Sequence, residues 1–337
     1  MTPRERMRRA IEYDAPDRLP VVYHPSPAGL HVHGERLLEL FRRHPPDNAV
    51  TFTGIPGSDA PVDGDGRYHE LITDEWGTVW EHRIYGIAGH PYRYPIRDLG
   101  RCDEYRFPDT PLVSPAGPDP RARRDRERFR TSGTVSVFER LHALHPMDGV
   151  LMGLAERNQP LLRLLARLEA YWYRRIDGFL ASGVDAVWFG DDWGAQTGPL
   201  VSPAMFRELF APVYERLFAR VKAGGARVFF HCCGVLGPIF DDLLALGIDL
   251  IWPQIRWFES DTGRVEHCRD RGVAFYVHPD RQALIPLGTP GEIRSEIRRY
   301  ADLGRDLGGG VVFYVEIEND APFENVRALI ESIAEYR

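Results

Sequence analysis

The chain has 337 residues, 43% of them apolar, enough to bury a substantial core. Its 49 acidic and 42 basic residues leave a net charge of -7 and are spread along the whole length, which argues against a basic face for nucleic acid or anionic lipid. No window approaches the roughly 18 apolar residues of a membrane span, the Arg-rich start from Met1 to Glu12 lacks the apolar core of a secretory signal, and four cysteines are too few for a disulfide scaffold. A cytoplasmic protein with reduced thiols, acting on a small molecule and away from membrane and nucleic acid, is therefore expected.

Thr2-Pro3-Arg4-Glu5 reads as an N-cap followed by proline and acid in a first turn, opening a helix to about Tyr13. Leu19 to Tyr23 reads as a short strand. The density of Gly, Pro and Asp from Pro45 to Gly66 predicts loop, and the aromatic, β-branched stretch from Thr78 to Tyr94 predicts a hairpin decorating the main fold. Pro108 to Arg130, Pro-rich and then heavily charged, reads as a surface excursion.

After Thr134 helical segments alternate with short apolar runs: Val184 to Phe189, Arg227 to Cys232, Ile248 to Trp252, Val273 to Val277 and Val311 to Val315. Each is strand-length, β-branched or aromatic, and follows a Gly-containing turn at the end of an amphipathic helix, as buried parallel strands do. With further candidate strands near Val21, Val135 and Val150, the pattern predicts a single α/β domain over residues 1–337, a (β/α)8 TIM barrel with an N-terminal helix and a hairpin as decorations. An open sheet fits the pattern less well.

In such a barrel the chemistry sits where strands end and βα loops begin. Those segments are polar here: Gly190-Asp191-Asp192-Trp193-Gly194-Ala195-Gln196, His231-Cys232-Cys233-Gly234, Pro253-Gln254, His278-Pro279-Asp280-Arg281-Gln282 and Glu316-Ile317-Glu318. Strand side chains alternate faces, so His231 and Cys233 point one way and Cys232 the other. Imidazole and thiolate converging suit zinc, which in catalytic sites takes three protein ligands and leaves a position open. Packing at a strand end is the competing account of the same three residues. Adjacent Asp191 and Asp192 face different ways, so one of them lines the cleft, Asp191 being taken as catalytic; capping of the following loop is the alternative. His278 and His24 lie at strand ends where a histidine can shuttle protons or complete a metal set, His278 being taken as catalytic; a satisfied structural histidine is the alternative for each. With Asp192, Trp193, Gln196 and Gln254, His24 makes up the expected substrate-binding set. Cys268, beside His267 in a charged helical stretch, reads as a surface residue, and Cys102 has no partner nearby in sequence.

Several of these segments resemble the uroporphyrinogen decarboxylase superfamily: Phe189 to Gln196 followed by Ser202-Pro203 and Pro212, the opening Pro16-Asp17-Arg18-Leu19-Pro20, Asp74-Glu75-Trp76-Gly77, His231-x-Cys233-Gly234, Asp280-x-Gln282, Gly288-Thr289-Pro290 and Pro322-x-Glu324-Asn325. The matches run in family order from near the first residue to near the last. They imply one (β/α) barrel with its cleft at the carboxyl face. The superfamily holds a metal-free tetrapyrrole decarboxylation and a zinc-assisted methyl transfer between a corrinoid or other methyl carrier and a thiol.

True decarboxylases carry an Arg-containing segment after the first strand that holds the substrate's carboxylates, whereas this chain has Tyr23-His24-Pro25-Ser26-Pro27-Ala28-Gly29. The resemblance therefore leans to the methyltransferase branch, with His231 and Cys233 as zinc ligands. Its late third ligand, commonly cysteine, falls at about Val315, which cannot coordinate, so Glu316 is the nearest replacement, with Glu318 on the same strand face. A corrinoid, if it is the methyl carrier, would arrive on a partner protein. A metal-free decarboxylase or lyase and a non-catalytic ligand-binding barrel are the other two readings, and the oligomeric state is left open.

Overall fold

The computed structural model describes residues 1–50, 55, 61–109 and 127–337. Parts of the loop expected over Pro45 to Gly66, and most of the excursion expected over Pro108 to Arg130, lie outside the described residues.

Thr2 caps the first helix, Pro3–Ile11, in a reciprocal capping box with Glu5. The helix stops two residues short of Tyr13, which sits at φ 55°. Seven parallel strands follow along the chain: β1 (Val21–His24), β5 (Thr131–Val135), β6 (Ala186–Gly190), β7 (Arg227–Cys232), β8 (Leu250–Pro253), β9 (Ala274–Val277) and β10 (Val311–Glu316). They form one sheet in the order β1-β10-β9-β8-β7-β6-β5. Three remaining strands, β2 (Glu70–Thr73), β3 (Val79–His82) and β4 (His90–Arg93), make a separate antiparallel sheet, so the expected hairpin gains a third strand on its outer edge.

The parallel sheet is curled. One apolar cluster joins Val22 and Phe129, from its two ends, to Phe229, Tyr276 and Tyr314, with Met7, Ala10 and Ile11 of the first helix closing the amino-terminal side. A second, larger cluster lies between the other sheet face and the helices, and includes Val187, Phe189, Phe230 and Cys232. Alternate residues of each strand thus enter different cores, as the period of two requires.

The expected eight-stranded sheet is seven-stranded among the described residues. The segment after the helix Pro27–Arg43 lies between the two ends of the sheet: Asp47 N–H donates to Val21, Phe129 N–H to Asp47, and Ala49 N–H to Phe129, at 2.8, 3.1 and 2.8 Å. Val150, a candidate strand centre, lies in the helix Met147–Ala155 instead. Its neighbours Leu151, Met152 and Leu154 make a run that suits a helix as well as a strand, which periodicity alone does not separate. Cys268 is fully buried, because it is the core-facing position of an otherwise charged helix, Gly263–Asp270.

Three of the sequence motifs are structural joints. Thr289 and Glu292 form a capping box for the helix Pro290–Asp306, and Asn325 donates to the carbonyls of Ile285 and Gly288 at 2.9 and 2.8 Å, fixing the last helix, Phe323–Tyr336, to that helix start. Asp74 likewise accepts from the Trp76 and Thr78 backbone and from the Trp80 indole, shaping the turn between β2 and β3. No helix among the described residues is long and apolar enough to cross a membrane.

Candidate metal and substrate cleft

Because all seven strands run the same way, their carboxyl ends share one rim. The alternation places Gly190, His231, His278, Glu316 and His24 in phase with the concave-face residues Trp188, Phe229, Tyr276, Tyr314 and Val22. Cys232 is out of phase. It is buried among the helices, accepts the Trp193 N–H at 3.1 Å, and burial holds its thiol well above the usual range.

Cys233 returns to the rim, with its Sγ 3.3 Å from His231 Nε2. Asp192 Oδ1 lies 3.7 Å from the same nitrogen and accepts the Cys233 N–H at 2.7 Å. One ligand atom from each of Asp192, His231 and Cys233 lies within 4.8 Å of the others. His231 Nδ1 is 3.0 Å from the Trp252 carbonyl, which can only accept, so that nitrogen carries the proton and Nε2 presents its lone pair. Burial, with the Asp192 carboxylate beside it, pushes the Cys233 thiol up to about 12.

The loops after β6 and β7 meet at two glycines. Gly234 sits at φ 74°, and a Cβ there would run into the Gly194 carbonyl, while one on Gly194 would lie 2.5 Å from the Cys233 carbonyl oxygen. Only glycine permits that approach together with the positive φ. It brings Asp192 against the Cys233 backbone.

The expected placements of Asp191, Trp193 and Glu316 need correction. Asp191 is completely buried beneath the rim, where its carboxylate accepts from Val137 N–H at 2.9 Å, Glu139 N–H at 2.8 Å and the Tyr214 hydroxyl at 2.7 Å. Burial pushes this acid up to about 7. It joins the segment after β5 to the segment after β6 and presents nothing to the cleft. Trp193 follows it into the core, its ring stacked on Phe138 at 4.3 Å and its indole N–H donating to Tyr214. Both lie on the wrong side of the alternation that exposes Asp192.

Glu316 is inward-facing but stands apart from the ligand group. Its carboxylate lies 3.7 Å from His24 Nε2 and 3.6 Å from Arg281 Nη1. Burial pushes its carboxyl up, while His24 and Arg281 pull it back down. Glu318, past the end of the strand, pairs with Arg281 at 3.1 Å.

A cavity of about 210 Å³ opens between these groups, lined by Gln196, His231, Cys233, Trp252, Gln254, His278 and Arg281 among others. Gln196, Gln254 and His278 are thus where the sequence places them. Gln254 also caps the helix Ile255–Glu259 by accepting the Trp257 N–H at 3.0 Å. His24 lies at the rim over Tyr314, with 59% of its side chain exposed. Two residues of the cleft escaped the sequence reading. Trp252 supports the His231 ring at 4.0 Å between centroids, and Arg281 sits inside the Asp280-x-Gln282 motif, where an arginine was not sought.

Residues 146–336 match the family described as uroporphyrinogen decarboxylase (URO-D), a span of more than half the chain. No curated protein matches the sequence. Among solved structures, a methyltransferase from Methanosarcina mazei aligns with a TM-score of 0.67 at 15% identity, over 100% of this chain and 99% of that one, and so shares its fold. A dihydropteroate synthase from Xanthomonas albilineans aligns at 15% identity with a TM-score of 0.35, over 59% of this chain and 66% of that one. A sugar phosphate isomerase/epimerase from Parabacteroides distasonis aligns at 12% identity with a TM-score of 0.34, over 49% of this chain and 62% of that one.

Proposed function

The chain belongs to the uroporphyrinogen decarboxylase family, and from that membership and its cleft we propose that it is a zinc-dependent methyltransferase, moving a methyl group between a carrier and a thiol or similar nucleophile. The observation that carries the reading is the convergence of His231 Nε2, Cys233 Sγ and the Asp192 carboxylate, with the His231 tautomer fixed by the Trp252 carbonyl. A nitrogen, a sulfur and an oxygen donor suit zinc, and a ligating histidine characteristically donates its other N–H to a carbonyl or carboxylate. Asp192 takes the place that the sequence gave to Glu316.

When bound, zinc supplies a Lewis acid that makes a coordinated thiol a thiolate at neutral pH. The remaining work belongs to the chain. Asp192 braces the Cys233 backbone, Trp252 holds the His231 ring, and the partly buried Trp252 and the buried His278 line the cleft. We take the bridging segment around Asp47 to Ala49 as the eighth stave of a closed barrel. A corrinoid on a partner protein is one candidate for the methyl carrier. The shared fold of the Methanosarcina mazei methyltransferase supports the same branch.

A polycarboxylate decarboxylation is less well served. The loop after β1 carries no arginine, and the guanidinium of Arg281, in the cleft wall, is engaged by Glu316 and Glu318. Metal analysis of protein purified without a metal-binding tag tests the proposal, with about one zinc per chain expected; a metal-free protein would contradict it, and one whose cleft still binds ligand would favour a non-catalytic ligand-binding barrel.

A further inference from the structure

Asp192 faces the rim, but the residues on either side of it do not. Asp191 and Trp193 continue the helix-facing side of β6, and both are fully buried. One atom holds the two of them. The Tyr214 hydroxyl donates to the Asp191 carboxylate at 2.7 Å and accepts the Trp193 indole N–H at 3.2 Å. A hydroxyl has one proton to give and lone pairs to receive, so both bonds form at once.

The position of that hydroxyl is itself fixed by packing. Tyr214 lies on the helix Ala211–Ala223, completely buried, with the Phe218 and Phe230 rings each 5.5 Å from its own between centroids. The chain enters this helix through a wide, π-type turn, Phe206–Phe210, whose first and last residues pack edge-on against the Trp193 ring at 5.2 and 4.6 Å. Such turns are rare and recur at functional sites. From the other side, the Asp191 N–H donates to the His231 carbonyl at 3.2 Å. Asp192 therefore stands between two anchored residues, with its carboxylate on the Cys233 N–H at 2.7 Å. Phenylalanine would fill the space of Tyr214 almost as well. What the hydroxyl adds is the tie.

We propose that Tyr214 is a positioning residue for Asp192: its hydroxyl pins the residues on both sides and so sets the Asp192 carboxylate against the Cys233 backbone and beside His231. That Asp192 then ligates zinc rests on the reading above; the clamp does not.

Amide exchange at Cys233, read by NMR in zinc-free protein, tests the clamp, and zinc affinity by chelator competition tests what the clamp serves. Tyr214→Phe keeps the ring and removes the hydroxyl. It should speed exchange of the Cys233 N–H about tenfold and lower zinc affinity about tenfold. Ile297→Val, which loosens a buried contact of the helix Pro290–Asp306, should do neither, and so separates positioning from a general loss of stability. In an Asp192→Ala background no carboxylate is left to position, and Tyr214→Phe should lower zinc affinity by less than about twofold more. Exchange in Tyr214→Phe no faster than in Ile297→Val overturns the proposal, and so does a loss of zinc affinity of the same size with and without the Asp192 carboxylate. Faster exchange with zinc affinity unaltered in both Tyr214→Phe and Asp192→Ala would uphold the clamp and remove Asp192 from the ligand set.

Discussion

The Asp192 carboxylate accepts the Cys233 backbone N–H at 2.7 Å, so one side chain both fixes the loop that carries the thiol and holds its oxygen beside His231 and Cys233, where the proposed zinc would bind. Asp192→Asn keeps an acceptor for that N–H but removes the charge. It should weaken zinc affinity on the order of tenfold or more, measured by chelator competition, with little change in melting temperature. A variant with unaltered zinc affinity would remove Asp192 from the ligand set.

Gly234→Ala tests the crossing of the two loops. An added Cβ meets the Gly194 carbonyl at a backbone angle that L side chains rarely adopt. The substitution should cost roughly 2–4 kcal/mol in unfolding free energy and lower zinc affinity as Cys233 shifts. Retention of both would mean that the loops tolerate separation.

Asp191→Ala should act on stability. It strips the acceptor from Val137 N–H, Glu139 N–H and the Tyr214 hydroxyl in a fully buried site, a loss of roughly 3–5 kcal/mol in urea unfolding. If the fold is instead as stable as wild type and only activity is lost, Asp191 has the catalytic part that its burial argues against.

Those burials mark where sequence reasoning reached and where it stopped. Parallel strands were legible because β-branched and aromatic runs stand between amphipathic helices, and the opposite facing of Cys232 and Cys233 followed from a period of two. The same period should have placed Asp191 with Phe189, facing the helices, and Asp192 at the rim, had the strand been ended at Gly190. Glu316 was a local choice of ligand, nearest in register to Val315. The nearer carboxylate comes from another loop, through a glycine crossing that spans some forty residues of sequence, as the separation of Asp192 and Cys233 shows. Burial of Cys268 and the outer strand Glu70–Thr73 depended on tertiary neighbours that no local pattern reports.

The buried histidines should contribute a loss of stability with acid below about pH 6.5, opposed by the raised carboxyl of Asp191. Burial depresses the basicity of His278 to about 3 and also lowers that of His33. Unfolded chains take up a proton on each near pH 6.5 while the folded protein leaves them neutral, so the unfolded state binds more protons and unfolding becomes easier as pH falls from there towards 3. For His278 alone the slope approaches about 1.4 kcal/mol per pH unit. Urea unfolding of zinc-free protein at several pH values measures it, and His278→Gln should flatten the curve; an identical slope in the variant would show that His278 titrates normally.

The central claim, a metal held by one of two adjacent cysteines, is tested most directly by zinc content in Cys233→Ser and Cys232→Ser side by side. Cys233 shares the rim with His231 at 3.3 Å, and Cys232 is buried in the layer beneath. Mass spectrometry should find zinc lost from Cys233→Ser, and near wild-type zinc in a less stable Cys232→Ser. Unchanged zinc in Cys233→Ser, or equal loss in both, would contradict the account.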